Sequence, residues 1–207
     1  MHQTYSSRRP LWLATIAIWL AVTCVATAHA QDAVKLRATI DAISGDSLSL
    51  TTRTGDKVVV SLAPNLVVSS VVPTKLTDIK PNSFIGTAAL PQPDGTQRAL
   101  EVHVFPESMR GTGEGYRPFD LQPNSTMTNG TVGAVTGNVG RTLTVSYKGG
   151  KQTIVVPPGT PVVTFDPGSR ALLVANAHII LFGQRASDGK ITAMRILVGK
   201  NGLVPPM

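Results

Sequence analysis

From residue 38 onward the chain alternates apolar and polar positions in short runs. Ile40/Ala42, Leu48/Leu50 and Val58/Val60 each put their apolar members on one side with a period of two. That is the pattern of strands half-buried against a core. The runs stop at turn residues. Asp94-Gly95 and Asp188-Gly189 predict hairpin turns, because glycine accepts the positive φ that such turns need. The alternation breaks at Leu76-Thr77-Asp78-Ile79-Lys80-Pro81 and again at Ala171-Leu172-Leu173-Val174-Ala175. A single helical turn at each break would plug the end of a small barrel.

The same order of runs occurs twice. Ala38-Thr39-Ile40-Asp41-Ala42-Ile43-Ser44-Gly45 is matched by Gly130-Thr131-Val132-Gly133-Ala134-Val135-Thr136-Gly137, displaced by 92. Asn82-Ser83-Phe84-Ile85 is matched by Asn176-Ala177-His178-Ile179, and Asp94-Gly95, Ala99 and Val102 by Asp188-Gly189, Ala193 and Ile196, displaced by 94. A displacement that stays between 92 and 95 through successive blocks marks an internal repeat. Each copy reads as three strands, a turn and a two-strand hairpin, which describes a five-stranded barrel of the OB type. The expected fold is therefore all-β: two tandem small five-stranded OB-like barrels, over 31–105 and 126–207, joined by a glycine-rich connector at 106–125.

The N-terminus has a different character. Arg8 and Arg9 precede an apolar run from Leu11 to Val25, and Ala28-His29-Ala30 follows. Positive, apolar and small-residue segments in that order predict a secretory signal peptide over residues 1–30, cleaved after Ala30. The run falls short of the roughly 20 residues that cross a bilayer as a helix. A lipoprotein signal at Cys24 is disfavoured by Ala21-Val22-Thr23 before it. The expected location is the periplasm, with no membrane span in the mature chain. Both tryptophans and the only cysteine would leave with the leader, so disulfides and thiol chemistry are excluded.

Charge divides the copies. Residues 31–105 hold seven Lys and Arg against seven Asp and Glu, whereas 126–207 hold eight against two. A basic second half suits an acidic surface. The G-x-V-x-x-V-x-G openings and D-G-x-x-x-A closings resemble the DUF5666 type of exported bacterial proteins. The connector Phe105 to Leu121, with the following Ser125 to Thr131, resembles one Gram-negative subgroup of it. The resemblance implies OB-like modules and a periplasmic setting, and no reaction.

Few residues invite catalysis. His103 and Glu101 are expected on the outer face of the last strand of copy one, with Leu100, Val102 and Val104 inside. Two such ligands hold a metal weakly, short of the three or four that zinc needs. His178 aligns with Phe84, an apolar position, and is expected to pack. No serine sits in G-x-S-x-G. Glu101, Glu107, Glu114 and Asp120 are the carboxylates from which a hydrolase pair would be drawn. Gly111-Thr112-Gly113-Glu114-Gly115 lacks the Lys-Ser/Thr pair and helix of a phosphate loop. Tyr147 beside Lys148 and Lys151 is the best exposed patch, without the aromatic interleaving of a nucleic-acid surface.

The connector is left as the segment that neither repeat explains. Its Arg110, Glu114, Tyr116, Arg117, Phe119 and Asp120 are the candidate binding residues. The functional expectation is a non-enzymatic binding or adaptor protein of the cell envelope, without cofactor, acting on an envelope protein or a small ligand. The alternative is a metal-handling accessory using His103 and Glu101, and a hydrolase ranks below both.

Overall fold

The computed structural model describes residues 1–2, 32–137 and 141–207. Residues 3–31, which hold most of the expected leader with Cys24 and the expected cleavage site at Ala28 and Ala30, lie outside the described residues. The chain is all-β. Its strands are β1 (Asp32–Ser44), β2 (Ser47–Thr52), β3 (Lys57–Pro73), β4 (Phe84–Pro91), β5 (Gln97–Val104) and β6 (Gly115–Pro118), then β7 (Thr126–Thr136), β8 (Arg141–Tyr147), β9 (Gly150–Val156), β10 (Val162–Pro167), β11 (His178–Arg185) and β12 (Ile191–Gly199). The expected single turns are 3-10 turns at Leu76–Asp78 and Arg170–Leu172. Among the described residues no helix is long and apolar enough to cross a membrane.

The two copies are interleaved rather than laid end to end. Strands β1, β2 and β3 pair in sequence, but β1 takes β11 as its other neighbour, β11 pairs β12, and β12 returns parallel to β3. A closed five-stranded barrel results, built from three strands of copy one and the hairpin of copy two. Reciprocally, the hairpin β4–β5 joins β7, β8 and β9, with β5 meeting β9 through Gln97↔Ile154 and Arg98↔Val155. The division at 31–105 and 126–207 is therefore not the division of the pairings.

Local geometry repeats the exchange. Asn176 donates its N–H to Ile40 and Ile40 donates to Ala177, while Asn82 donates to Val132 and Val132 to Ser83. Asn82 and Asn176 both take positive φ, 70° and 66°. The register shifts repeat as well: Asp41 and Gly133 stand extra in β1 and β7, and Leu100 and Met194 in β5 and β12. A bulge sets two residues against one and turns the strand, so equivalent bulges bend both copies alike.

The sequence of β3 accounts for the crossing. Its 17 residues run on where copy two breaks at Pro157-Pro158-Gly159, and an extended strand of that length reaches ~55 Å. It carries the chain out of the first ring before the next hairpin begins. Strand β10 lies between β3, antiparallel, and β5, parallel, and joins both sets in one sheet.

Three apolar clusters hold the molecule. Ile40, Leu48, Leu50, Leu181 and Ile196 fill the barrel, with Leu173 closing its end. Ile85, Val102, Leu143, Val145 and Ile154 fill the reciprocal set, plugged by Ile79. A third cluster, Val71, Phe84, Phe105, Val163, Phe165, Ile180, Leu197 and Met207, packs between them. That third cluster covers the outer face of β5 and corrects one expectation. Val102 points inward as the alternation requires, but Glu101 and His103 on the other face are 0% and 4% exposed. The outer face of β5 is an interior of the assembled molecule.

Candidate functional site

Where the two hairpins approach, equivalent rows of the copies face each other. In one set Lys35, Phe182 and Arg195 stand in register across β1, β11 and β12, followed by Arg37, Ile180 and Leu197. In the other the matching rows are Met127, Ala88 and Glu101, then Asn129, Gly86 and His103. Between them lies a cavity of about 650 Å³, lined by members of both sets together with Phe105, Met109, Phe165 and Met207. Thr112, Gly113, Arg117, Pro118, Phe119 and Asp120 of the connector also line it.

The wall from copy one's hairpin carries a buried polar group. Glu101 accepts the Ala88 N–H at 2.9 Å and faces His103 Nδ1 at 3.2 Å. The Glu101 carbonyl accepts the Thr87 hydroxyl at 2.7 Å. The His103 ring is set edge-on to Phe105 and Phe165, with centroids at 4.8 and 5.6 Å. It lies over Gly86, where a Cβ would overlap Nε2 and stand 2.5 Å from Asn129 Oδ1. Only glycine leaves room there. Asn129 is 4% exposed. Its Nδ2 donates to the Thr112 carbonyl at 3.0 Å, and its Oδ1 finds no donor among the described residues.

The opposite wall is cationic, and the connector is fastened to it. Arg37 donates to both Asp120 oxygens at 3.0 and 2.9 Å, and Lys35 pairs with the same carboxylate. The Arg37 guanidinium holds the Asp120 carboxyl far below the usual carboxylate range; burial opposes this and Lys35 reinforces it. Burial pulls Lys35 below its ordinary value, against the hydrogen bond it donates to Asp120. Lys35 Nζ also sits 4.0 Å from the centre of the Phe119 ring, a cation–π contact.

The six connector residues therefore separate. Arg117, Phe119 and Asp120 line the cavity. Arg110 is engaged by Glu107, 2.6 Å away, and donates to the Asn82 carbonyl. Glu114 accepts the Lys148 N–H at 2.9 Å, and Tyr116 stacks on Tyr147 at 6.5 Å. These three anchor the connector to the body of the protein. Each carboxylate considered for hydrolysis is held by its own partners: Glu101 by His103, Glu107 by Arg110, Glu114 by Lys148, Asp120 by Arg37 and Lys35. Among the described residues no three His, Cys, Asp or Glu side chains gather as a metal site. His178 is half-buried, its Nδ1 3.0 Å from the Thr39 hydroxyl. Lys148 and Lys151 stay exposed on the second half.

Sequence reasoning missed Lys35, Gly86, Asn129 and Arg195. The signal was present in the repeat: at a displacement of 94, Gly86, Glu101 and His103 correspond to Ile180, Arg195 and Leu197. Comparison with family models, with curated proteins and with solved structures gives no match to this chain.

Proposed function

We propose that the protein is an exported periplasmic binding protein, not an enzyme, and that it takes up a small amphiphilic anion in the cleft between its two strand sets. In this reading β4, β5 and β7–β9 make a second small barrel, the DUF5666-like modules exchange hairpins, and the connector roofs the site. One observation carries the reading: a cavity of about 650 Å³ whose body is Phe105, Phe165, Phe182, Ile180, Leu197 and Met127, and whose cations Lys35, Arg117 and Arg195 outnumber Asp120. That volume suits a ligand of fatty-acid or aromatic-carboxylate size, and mostly apolar walls with few polar groups are usual for such sites. An adaptor role for the connector is disfavoured, because Arg110, Glu114 and Asp120 are spent on contacts within the chain.

Titration with the fluorescent fatty acid dansyl-undecanoate tests the proposal. The expected result is saturable one-to-one binding with a blue-shifted emission. Reversing two cavity cations in the Arg117→Glu, Arg195→Glu variant weakens it at least ~10-fold, as loss of charge complementarity to an anion requires. Absence of saturable binding to the folded protein, or binding indifferent to both reversals, refutes it.

A further inference from the structure

Resting on that reading, we infer that the cleft contains a polar sub-site, made by Asn129 Oδ1 and His103 Nε2, that accepts a hydrogen bond from a hydroxyl on the buried end of the ligand. Asn129 is almost wholly buried, lines the cavity, and carries an Oδ1 without a donor among the described residues. A buried acceptor left unmade is costly, and native structures keep such groups paired unless the site serves something else. The amide orientation follows from its neighbour, since Nδ2 is the only end able to donate to the Thr112 carbonyl.

His103 supplies the second acceptor. Glu101 faces Nδ1 with both carboxylate oxygens, at 3.3 and 3.2 Å, so that nitrogen is the donor, and in the tautomer this selects Nε2 is the acceptor. Nε2 and Asn129 Oδ1 both stand within 2.5 Å of the one point that a Cβ on Gly86 would take, so the two acceptors are neighbours on the same wall. Two acceptors side by side call for a donor from the cavity. A cation is the wrong donor, because Lys35, Arg117 and Arg195 line the same cavity. A hydroxyl is an uncharged donor, and its one proton can go to either acceptor. Thr128 Oγ1 is likewise unpaired, but it alternates to the other face of β7 and takes no part.

The copies underline the point. The matching positions in the facing wall are Arg37, Ile180 and Leu197, which give an apolar surface and a cation already bound to Asp120. The pair of walls thus reads a ligand with three parts: an anionic end for Arg117 and Arg195, an apolar middle, and a hydroxyl for Asn129 or His103.

Displacement of dansyl-undecanoate by matched fatty acids with and without a terminal hydroxyl, from decanoate to hexadecanoate, tests the sub-site. At the best-fitting length the hydroxylated acid should compete at ~5–10-fold lower concentration, the return on satisfying a buried acceptor. In Asn129→Ala that advantage should fall below about twofold while the unsubstituted acid still binds. If both acids bind and no length gives the hydroxyl an advantage, the sub-site is overturned and the amphiphile reading stands. If neither displaces the probe, both fall. An advantage that survives in Asn129→Ala places the hydroxyl elsewhere and also overturns the sub-site. Should that variant unfold, the wild-type pairs decide.

Discussion

The hairpin exchange makes a prediction that a pair of separate barrels would not. Ala33 on β1 stands opposite Gln184 on β11, and both side chains are exposed. Directly opposed antiparallel residues hold their Cα atoms about 4.5–5.5 Å apart, inside the window for a disulfide. The only native cysteine is Cys24, so a chain starting at residue 31 with Ala33→Cys and Gln184→Cys has no competing thiol. The bond would close a loop of roughly 150 residues. The chain-entropy treatment gives about 5 kcal/mol for that closure, and disulfides in practice return about 2–4. For a chain of this size that is a rise in melting temperature of about 5–15 °C on oxidation. Non-reducing electrophoresis reads the cross-link, and thermal melting with and without reductant reads the gain. The repeat supplies the control. Leu90 is the copy-one counterpart of Gln184, so end-to-end barrels would set Ala33 opposite Leu90. Strand β4, which carries Leu90, instead takes β7 as its outer neighbour. Formation of a disulfide in Ala33→Cys, Leu90→Cys, with none in Ala33→Cys, Gln184→Cys, would refute the exchange.

Other outcomes follow from single sites. Asp120→Asn should loosen the connector at a cost of about 1 kcal/mol, a size set by solvent screening of a half-exposed pair. Because the folded carboxyl is held below its ordinary value of 3.8, the stabilisation is fully present above that value and is lost as pH falls below it. Urea melts of wild type and variant should therefore differ at about pH 6 and converge in strong acid; a gap that widens on acidification would contradict the assignment. Gly86→Ala pushes a methyl into the His103 ring and should cost about 2 kcal/mol as overpacking. Gly133→Ala, whose Cβ would meet only the Thr144 carbonyl at 3.7 Å, should stay within about 0.5. Equal costs in chemical denaturation would remove the claim that Gly86 makes room for the ring.

Strand positions, hairpin turns and the repeat were legible because each leaves a local mark. Ile40, Leu48 and Leu50 are all in one core, as their alternation implies. What alternation does not encode is the partner. A period of two says which side chains share a face, and the hairpins β4–β5 and β11–β12 carry nearly the same inward residues, Ala99 and Val102 against Ala193 and Ile196. Either hairpin satisfies either ring, so the choice passes to the run of β3 and to the third cluster, which are long-range. The same limit explains Glu101 and His103. Their side of β5 was legible, but the surface that covers that side comes from the other copy and the connector. Of the connector, the cavity-lining half and the anchoring half both carry charges and rings, and composition alone does not separate Arg117 from Arg110.

Exchange and cleft belong to one argument. Crossing the hairpins brings equivalent rows of the two copies to one cavity, with His103, Met127 and Asn129 on one side and Lys35, Ile180, Phe182, Arg195 and Leu197 on the other. Were that space only packing, the two presentations would be free to stay alike, as Ile85 and Ile179 do in their cores. Instead Gly86 has Ile180 as its counterpart, His103 has Leu197 and Glu101 has Arg195, and one copy has taken the buried acceptors while the other has taken apolar bulk and positive charge. A pseudo-symmetric cavity with chemically unlike walls orients what enters it, since the two ends of a ligand meet different partners. The connector then has a reason to cross this face and no other: Asp120 neutralises part of the cationic wall, Thr112 holds the Asn129 amide in place, and Phe119 covers Lys35. Freeing the connector at Asp120 should therefore disturb both ends of the site at once.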